Sequence, residues 1–124
     1  MQHTIDHPVQ ISGYGYWSGK DVSLEFRPAR VDSGIVFVRR DIGPHARVAA
    51  SLKYREDVSR RTNLRNGVVR VEMVEHVLAA LYGLGIDNCE VWVDQAEMPG
   101  CDGSALPFVE TLQKVRVIQQ FVAA

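Results

Sequence analysis

The sequence predicts an α+β fold, a two-layer sandwich in which two helices pack on one face of a mixed or antiparallel sheet. Three observations carry that expectation. Apolar and polar residues alternate at period two in the first half, the period lengthens to that of a helix at Met73, and one more alternating stretch and one more helical stretch follow. No internal repeat or linker divides the 124 residues, so residues 1–124 read as one domain.

Val9 to Ser12 is the first expected strand, and Val22-Ser23-Leu24-Glu25-Phe26 alternates cleanly enough to be the second. Between them Gly13, Gly15 and Gly19 punctuate a loop; it lacks the Gly-Lys-Ser/Thr ending of a phosphate-binding loop and reads as a turn between strands. Asp32-Ser33-Gly34 turns the chain into the apolar run Ile35-Val36-Phe37-Val38, and Ile42-Gly43-Pro44 breaks it again before Val48-Ala49-Ala50. Tyr54 to Asn66 is polar and basic and closes on Asn66-Gly67, a hairpin signal that pairs Thr62-Asn63-Leu64 with Val68-Val69-Arg70-Val71.

From Met73 to Leu84 the positions Val74, Val77, Leu78 and Leu81 recur at helical spacing, with Gly83 or Gly85 as the stop. Asp87-Asn88 turns into the strand Glu90-Val91-Trp92-Val93-Asp94, which aims Val91 and Val93 inward. After the loop Gln95 to Gly103, Ser104 is the expected N-cap of a second helix with Pro107 in its first turn, a face of Leu106, Val109, Leu112 and either Val115 or Arg116, and an end near Gln120.

Composition narrows the function classes. Fourteen Lys and Arg against fifteen Asp and Glu leave a net charge of -1, which supplies no field for drawing in nucleic acid or anionic membranes. No apolar run approaches the roughly 18 residues of a membrane span. Cys89 and Cys101 are too few and too widely spaced for a disulfide framework, so both read as reduced thiols and the expected location is cytoplasmic.

The pair Glu75-His76 opens the first helix. Adjacent helical residues lie about 100° apart, so both cannot join Val74 and Leu78 in the core. On these two residues alone, Glu75 favours the positive end of the helix and His76 is a surface residue; equally, the imidazole can ligate zinc and the carboxylate can serve as general base. Arg60, Arg61 and Arg65 can meet a diphosphate or simply solvate a hairpin, Trp92 reads as a packing residue, Cys101 as a packed loop thiol, and Asp102 either braces the start of the second helix or touches substrate.

Beyond these pairs, the chain resembles the N-terminal domain of the UDP-3-O-acyl-N-acetylglucosamine deacetylase family, zinc enzymes of lipid A biosynthesis. The resemblance rests on Gly13-Tyr14-Gly15-Tyr16-Trp17-Ser18-Gly19-Lys20, Leu24-Glu25-Phe26-Arg27-Pro28-Ala29, Val74-Glu75-His76-Val77-Leu78-Ala79-Ala80-Leu81, Gly83-Leu84-Gly85-Ile86-Asp87-Asn88, and the blocks Pro99, Asp102-Gly103-Ser104-Ala105 and Pro107-Phe108-Val109. It implies a two-layer α/β fold, His76 as a zinc ligand, Glu75 as the general base for hydrolysis of the N-acetyl group, and Arg61, Thr62 and Asp102 as substrate-binding candidates. Two residues depart from the pattern: Trp17 stands where the glycine loop carries a His, and Met73 stands where a small hydroxyl residue precedes Val-Glu-His.

The family takes its other two zinc ligands, a His and an Asp four residues apart, from a second domain of similar fold. The resemblance therefore implies half of a catalytic unit, inactive alone, with Zn2+ as cofactor and a second deacetylase half as partner. A non-catalytic paralogue that binds a nucleotide sugar or acyl group, or serves as a regulatory module, is the rival reading, favoured by Trp17 and Met73. A homo-oligomer that builds its zinc site from His76 and one of His3, His7 or His45 is a third.

Overall fold

Period-two alternation buries Val22, Leu24 and Phe26 on one side of a strand and leaves Ser23, Glu25 and Arg27 on the other, and this strand anchors the main sheet. A computed structural model describes residues 1–58, 61–101 and 103–121 of the chain. Its strands are β1 (Gln2–Ile5), β2 (Val9–Tyr14), β3 (Asp21–Pro28), β4 (Ile35–Arg39), β5 (Arg47–Ala49), β6 (Arg55–Val58), β7 (Arg61–Asn66), β8 (Val69–Glu72), β9 (Cys89–Val93) and β10 (Val117–Gln120), with helices α1 (Glu75–Gly83) and α2 (Leu106–Leu112). Five strands form a mixed sheet in the order β2-β3-β9-β4-β5, in which only β4 and β9 run parallel. A three-stranded sheet β6-β7-β8 and the pair β1-β10 complete the strand layer. The α+β sandwich expected from the sequence is the fold observed.

One hydrophobic core joins the layers. Leu24, Phe26, Phe37, Val91 and Val93 from the main sheet meet Val77 and Leu81 of α1 and Phe108 and Leu112 of α2, and Phe26 and Phe108 pack edge to face with centroids 6.5 Å apart. The other face of the main sheet is polar. There Trp92 is half-buried beneath Arg27, whose guanidinium lies 3.9 Å from the ring centroid, while its indole N–H donates to Glu90. No helix among the described residues is long and apolar enough to cross a membrane.

Four sequence expectations are corrected. The second helix stops at Leu112, and the β-branched run that follows becomes β10, paired antiparallel with β1 from Ile5↔Val117 to Gln2↔Gln120. Its buried face is Phe108, Thr111 and Leu112, whereas Leu106 is 55% exposed. Ser104 does accept the Leu106 N–H, but the cap position itself is Ala105. The hairpin register also slips by one: Asn66 pairs with Val69, so Gly67 and Val68 form the two-residue turn, with Gly67 at φ +62 in the position where a left-handed backbone is needed. Gly85, at φ +72, follows the Leu84 cap of α1 and ends that helix.

Candidate functional site

Helix α1 is only nine residues long and has no side-chain cap of its own; Val74 occupies its N-cap position. Strand β7 supplies what the helix lacks. The Val74 N–H donates to the Thr62 carbonyl at 3.1 Å, the Thr62 N–H donates to Glu75 Oε2 at 3.1 Å, and the Met73 N–H donates to Asn63 Oδ1 at 3.2 Å. These bonds hold Met73 in a left-handed conformation at φ +59, a strained geometry for a long side chain, which turns the chain sharply from β8 into the helix. The start of α1 is thus fixed from outside, and a missing hydroxyl at Met73 does not leave it uncapped.

His76 follows in the first turn, half-buried, and lines a cleft of about 280 Å³ together with Tyr16, Trp17, Met73 and Gly103. The opposite wall comes from the turn between β2 and β3. That turn is closed by Gly15 N–H to the Lys20 carbonyl and Gly19 N–H to the Gly15 carbonyl, each at 2.9 Å. Tyr16 and Trp17 stand out from it, 68% and 53% exposed and T-stacked on one another. Arg61 lies with its guanidinium 5.4 Å from the Trp17 ring centroid and Nη2 3.6 Å from Glu72, so β7 contributes to the rim as well as to the helix cap.

The structure thus brings Glu75, His76, Arg61 and Thr62 to one corner, but with different aims. His76 faces the cleft, Glu75 is tied to β7, and Thr62 contributes its backbone. Arg60 and Asp102 lie outside the described residues, although Gly103, next in the chain, lines the cleft. The remaining histidines are elsewhere: His3 sits in β1 near Asp87, His7 beside Asp6, and His45 against Gly43. Among the described residues no group of three or more His, Cys, Asp or Glu side chains could hold a metal ion.

Two buried polar residues escaped the sequence reading. Asn63, 1% exposed, sets the Met73 turn as described. Glu97, 3% exposed, accepts the Trp17 N–H on Oε2 at 2.7 Å and the Ser18 N–H on Oε1 at 2.8 Å. Neither stands out locally, since Asn63 lies in the polar run Arg61-Thr62-Asn63-Leu64-Arg65 and Glu97 in the loop Gln95-Ala96-Glu97-Met98-Pro99, so the sequence carries no signal for their burial. Both cysteines are free thiols, but Cys101, expected to be a packed loop thiol, is exposed at the surface, whereas burial pushes Cys89 up to about 12.

Residues 2–123 match the protein family described as LpxC: UDP-3-O-acyl N-acetylglycosamine deacetylase. A UDP-3-O-acyl-N-acetylglucosamine deacetylase of Thioalkalivibrio sulfidiphilus is 44% identical over 119 residues, covering 96% of this chain and 39% of the relative. One from Legionella pneumophila is 43% identical over 122 residues, covering 98% and 40%. A protein of Chlorobaculum tepidum named bifunctional enzyme LpxC/FabZ is 40% identical over 119 residues, covering 96% and 26%. The chain therefore spans at most about two fifths of the length of these relatives, and what it resembles is their N-terminal part. With nearly every residue matched, the chain belongs to the UDP-3-O-acyl-N-acetylglucosamine deacetylase family.

Proposed function

We propose that this chain is the N-terminal half of a zinc-dependent deacetylase that removes the N-acetyl group of UDP-3-O-acyl-N-acetylglucosamine in the cytoplasm, within lipid A biosynthesis. The observation that carries the reading is His76, presented half-exposed to a cleft at the start of a helix whose first acid, Glu75, is held in place by the Thr62 N–H. His76 fits one position of a catalytic zinc site, which ordinarily takes three protein ligands and leaves one position open. Among the described residues no group of three or more His, Cys, Asp or Glu side chains forms there, and the reading assigns the remaining ligands to a second half.

Zinc, when bound, would polarise the amide carbonyl and make water a competent nucleophile near neutral pH. This chain would supply the rest of one wall. Glu75, adjacent to His76, would take a proton from the attacking water, and its bond to Thr62 limits the orientations it must give up on reaching the transition state. Arg61, on the rim, would meet the diphosphate of the nucleotide sugar, with Thr62 and Asp102 as further substrate contacts. The outer side of α1 supports a second half docking there. Beyond Glu75 and His76 the helix carries no ionisable residue until Tyr82, which is 58% exposed and shares a groove with Leu52, itself 81% exposed.

The test is reconstitution with the remaining segment of a relative. Acetate release from the N-acetylated substrate and bound zinc should appear together on mixing. His76→Ala should abolish zinc retention, and Glu75→Ala should keep zinc while slowing turnover by about 10²–10⁴-fold, the usual worth of a general base. A reconstituted enzyme indifferent to both substitutions would sink the assignment. Trp17, which occupies the cleft wall where the family's loop has a histidine, favours the second reading, a non-catalytic paralogue; that reading expects no zinc and no turnover in any mixture.

A further inference from the structure

Glu97 has a position that packing alone does not explain. Burying a carboxylate is costly unless hydrogen bonds compensate, and an apolar residue would fill the same space without that cost. Both of its oxygens are engaged by the backbone of the β2–β3 turn, through the Trp17 and Ser18 N–H groups. The carboxylate comes so close that a Cβ on Gly15 would lie 2.4 Å from Glu97 Oε1 and 2.4 Å from Ser18 Oγ, so any side chain there would have to push one of them aside. At the same time the backbone around Glu97 is sewn to the end of β8: the Glu72 N–H donates to the Ala96 carbonyl at 2.7 Å and the Met98 N–H to the Glu72 carbonyl at 3.0 Å. Glu72 immediately precedes Met73, the left-handed turn and α1.

We propose that Glu97 is a positioning residue for the His76 cleft: it ties the wall bearing Tyr16 and Trp17 to the wall bearing Met73 and His76 and so sets their separation. The backbone on either side of it, at Ala96 and Met98, holds one wall and its side chain the other, so the cleft is pre-formed rather than closed by a flexible aromatic turn. The proposal rests on the deacetylase reading only in taking this cleft as the site.

The experiment reads the cleft without zinc or turnover, so its failure leaves the deacetylase assignment untouched. In the 124-residue chain, the Trp17 and Ser18 amide protons should resonate downfield and exchange slowly. Glu97→Gln preserves volume but sets an N–H2 against one of the two donors. It should move at least one of these signals upfield and speed its exchange about tenfold or more, while the Val91 and Val93 amides of β9 keep their rates. Carbethoxylation of His76 by diethyl pyrocarbonate, followed by mass spectrometry, should accelerate relative to His45 in the same molecule. Gly15→Ala, which crowds the carboxylate from the other side, should do the same. Wild-type Trp17 and Ser18 amides that exchange as fast as those of the open turn at Gly67 would overturn the proposal, as would folded variants with unchanged amide shifts and an unchanged His76 rate.

Discussion

Leu81 and Tyr82 are neighbours on α1 and should respond to truncation in opposite ways. Leu81 is fully buried between the helix layer and the main sheet, whereas Tyr82 is 58% exposed on the outer side of the helix. Leu81→Ala removes three carbons from a closed core and leaves a cavity the short helix can only partly collapse, a loss of about 3 kcal/mol. With an unfolding entropy of about 2.1 cal/mol/K per residue over 124 residues, that corresponds to a fall of roughly 12 °C in Tm. Tyr82→Ser removes a ring that water already reaches and should cost under about 0.5 kcal/mol, or roughly 2 °C. Urea and thermal unfolding of the isolated chain measure both, and titration with the second half should then reverse the ranking of interest. Leu81→Ala, once refolded, should still bind; Tyr82→Ser should bind about tenfold more weakly if the outer face is the docking surface. A Leu81→Ala variant within about 2 °C of wild type would refute the packing argument, and a Tyr82→Ser variant that destabilises the isolated chain as much would refute the assignment of faces.

Ellman's reagent at pH 8 should titrate one thiol in the native chain and two in urea, because a Cys89 thiol pushed up to about 12 by burial is ionised in only about one molecule in ten thousand there; rapid reaction of both would contradict the burial of β9. Stability should fall on acidification. Burial alone would raise Glu25, but hydrogen bonds from Gln10 and Arg27 and the charges of Arg27 and Arg40 outweigh it, and Asp41 is lowered chiefly by its bond from Arg39. Folded carboxyls below their ordinary values contribute stability that is present above the unfolded values of 4.5 and 3.8 and is lost as pH falls through the folded ones, so urea midpoints should be flat near pH 6 and drop below about pH 4, less steeply in Glu25→Gln. Gly67→Ala should cost about 1 kcal/mol through the left-handed turn alone, since open space surrounds the added methyl; a neutral result in urea unfolding would reject the turn assignment.

How much of this was legible in the sequence depended on whether a residue's partner lay nearby in the chain. Strand β3 and helix α1 announce themselves because their burial pattern is a local period, and the stop at Gly85 is a local backbone requirement. β1 and β10 do not: each is four residues long, and they acquire strand character by pairing with one another across more than 110 positions, which is why the chain after Leu112 read as more helix. β6 was hidden in the same way inside a polar, basic stretch, since its partner β7 rather than any alternation makes it a strand.

The site divides along the same line. Glu75 and His76 were visible because they are adjacent and open a periodic helix, yet nothing local indicates that the carboxylate is held by β7 or that the facing wall is Trp17. Those relations run through Thr62, Asn63 and Glu97, each acting on a segment ten or more residues away. Glu97, about 80 positions from the turn it grips, is the extreme case: its sequence neighbours suggest only an ordinary acid in a loop, and its meaning lies in two backbone N–H groups brought to it by the fold. Long-range backbone partners of this kind explain how the chain can change residues inside the cleft, as at Trp17 and Met73, without changing the cleft's frame. The hydrogen bonds that hold both walls use the main chain of those positions, and the main chain is indifferent to which side chain it carries.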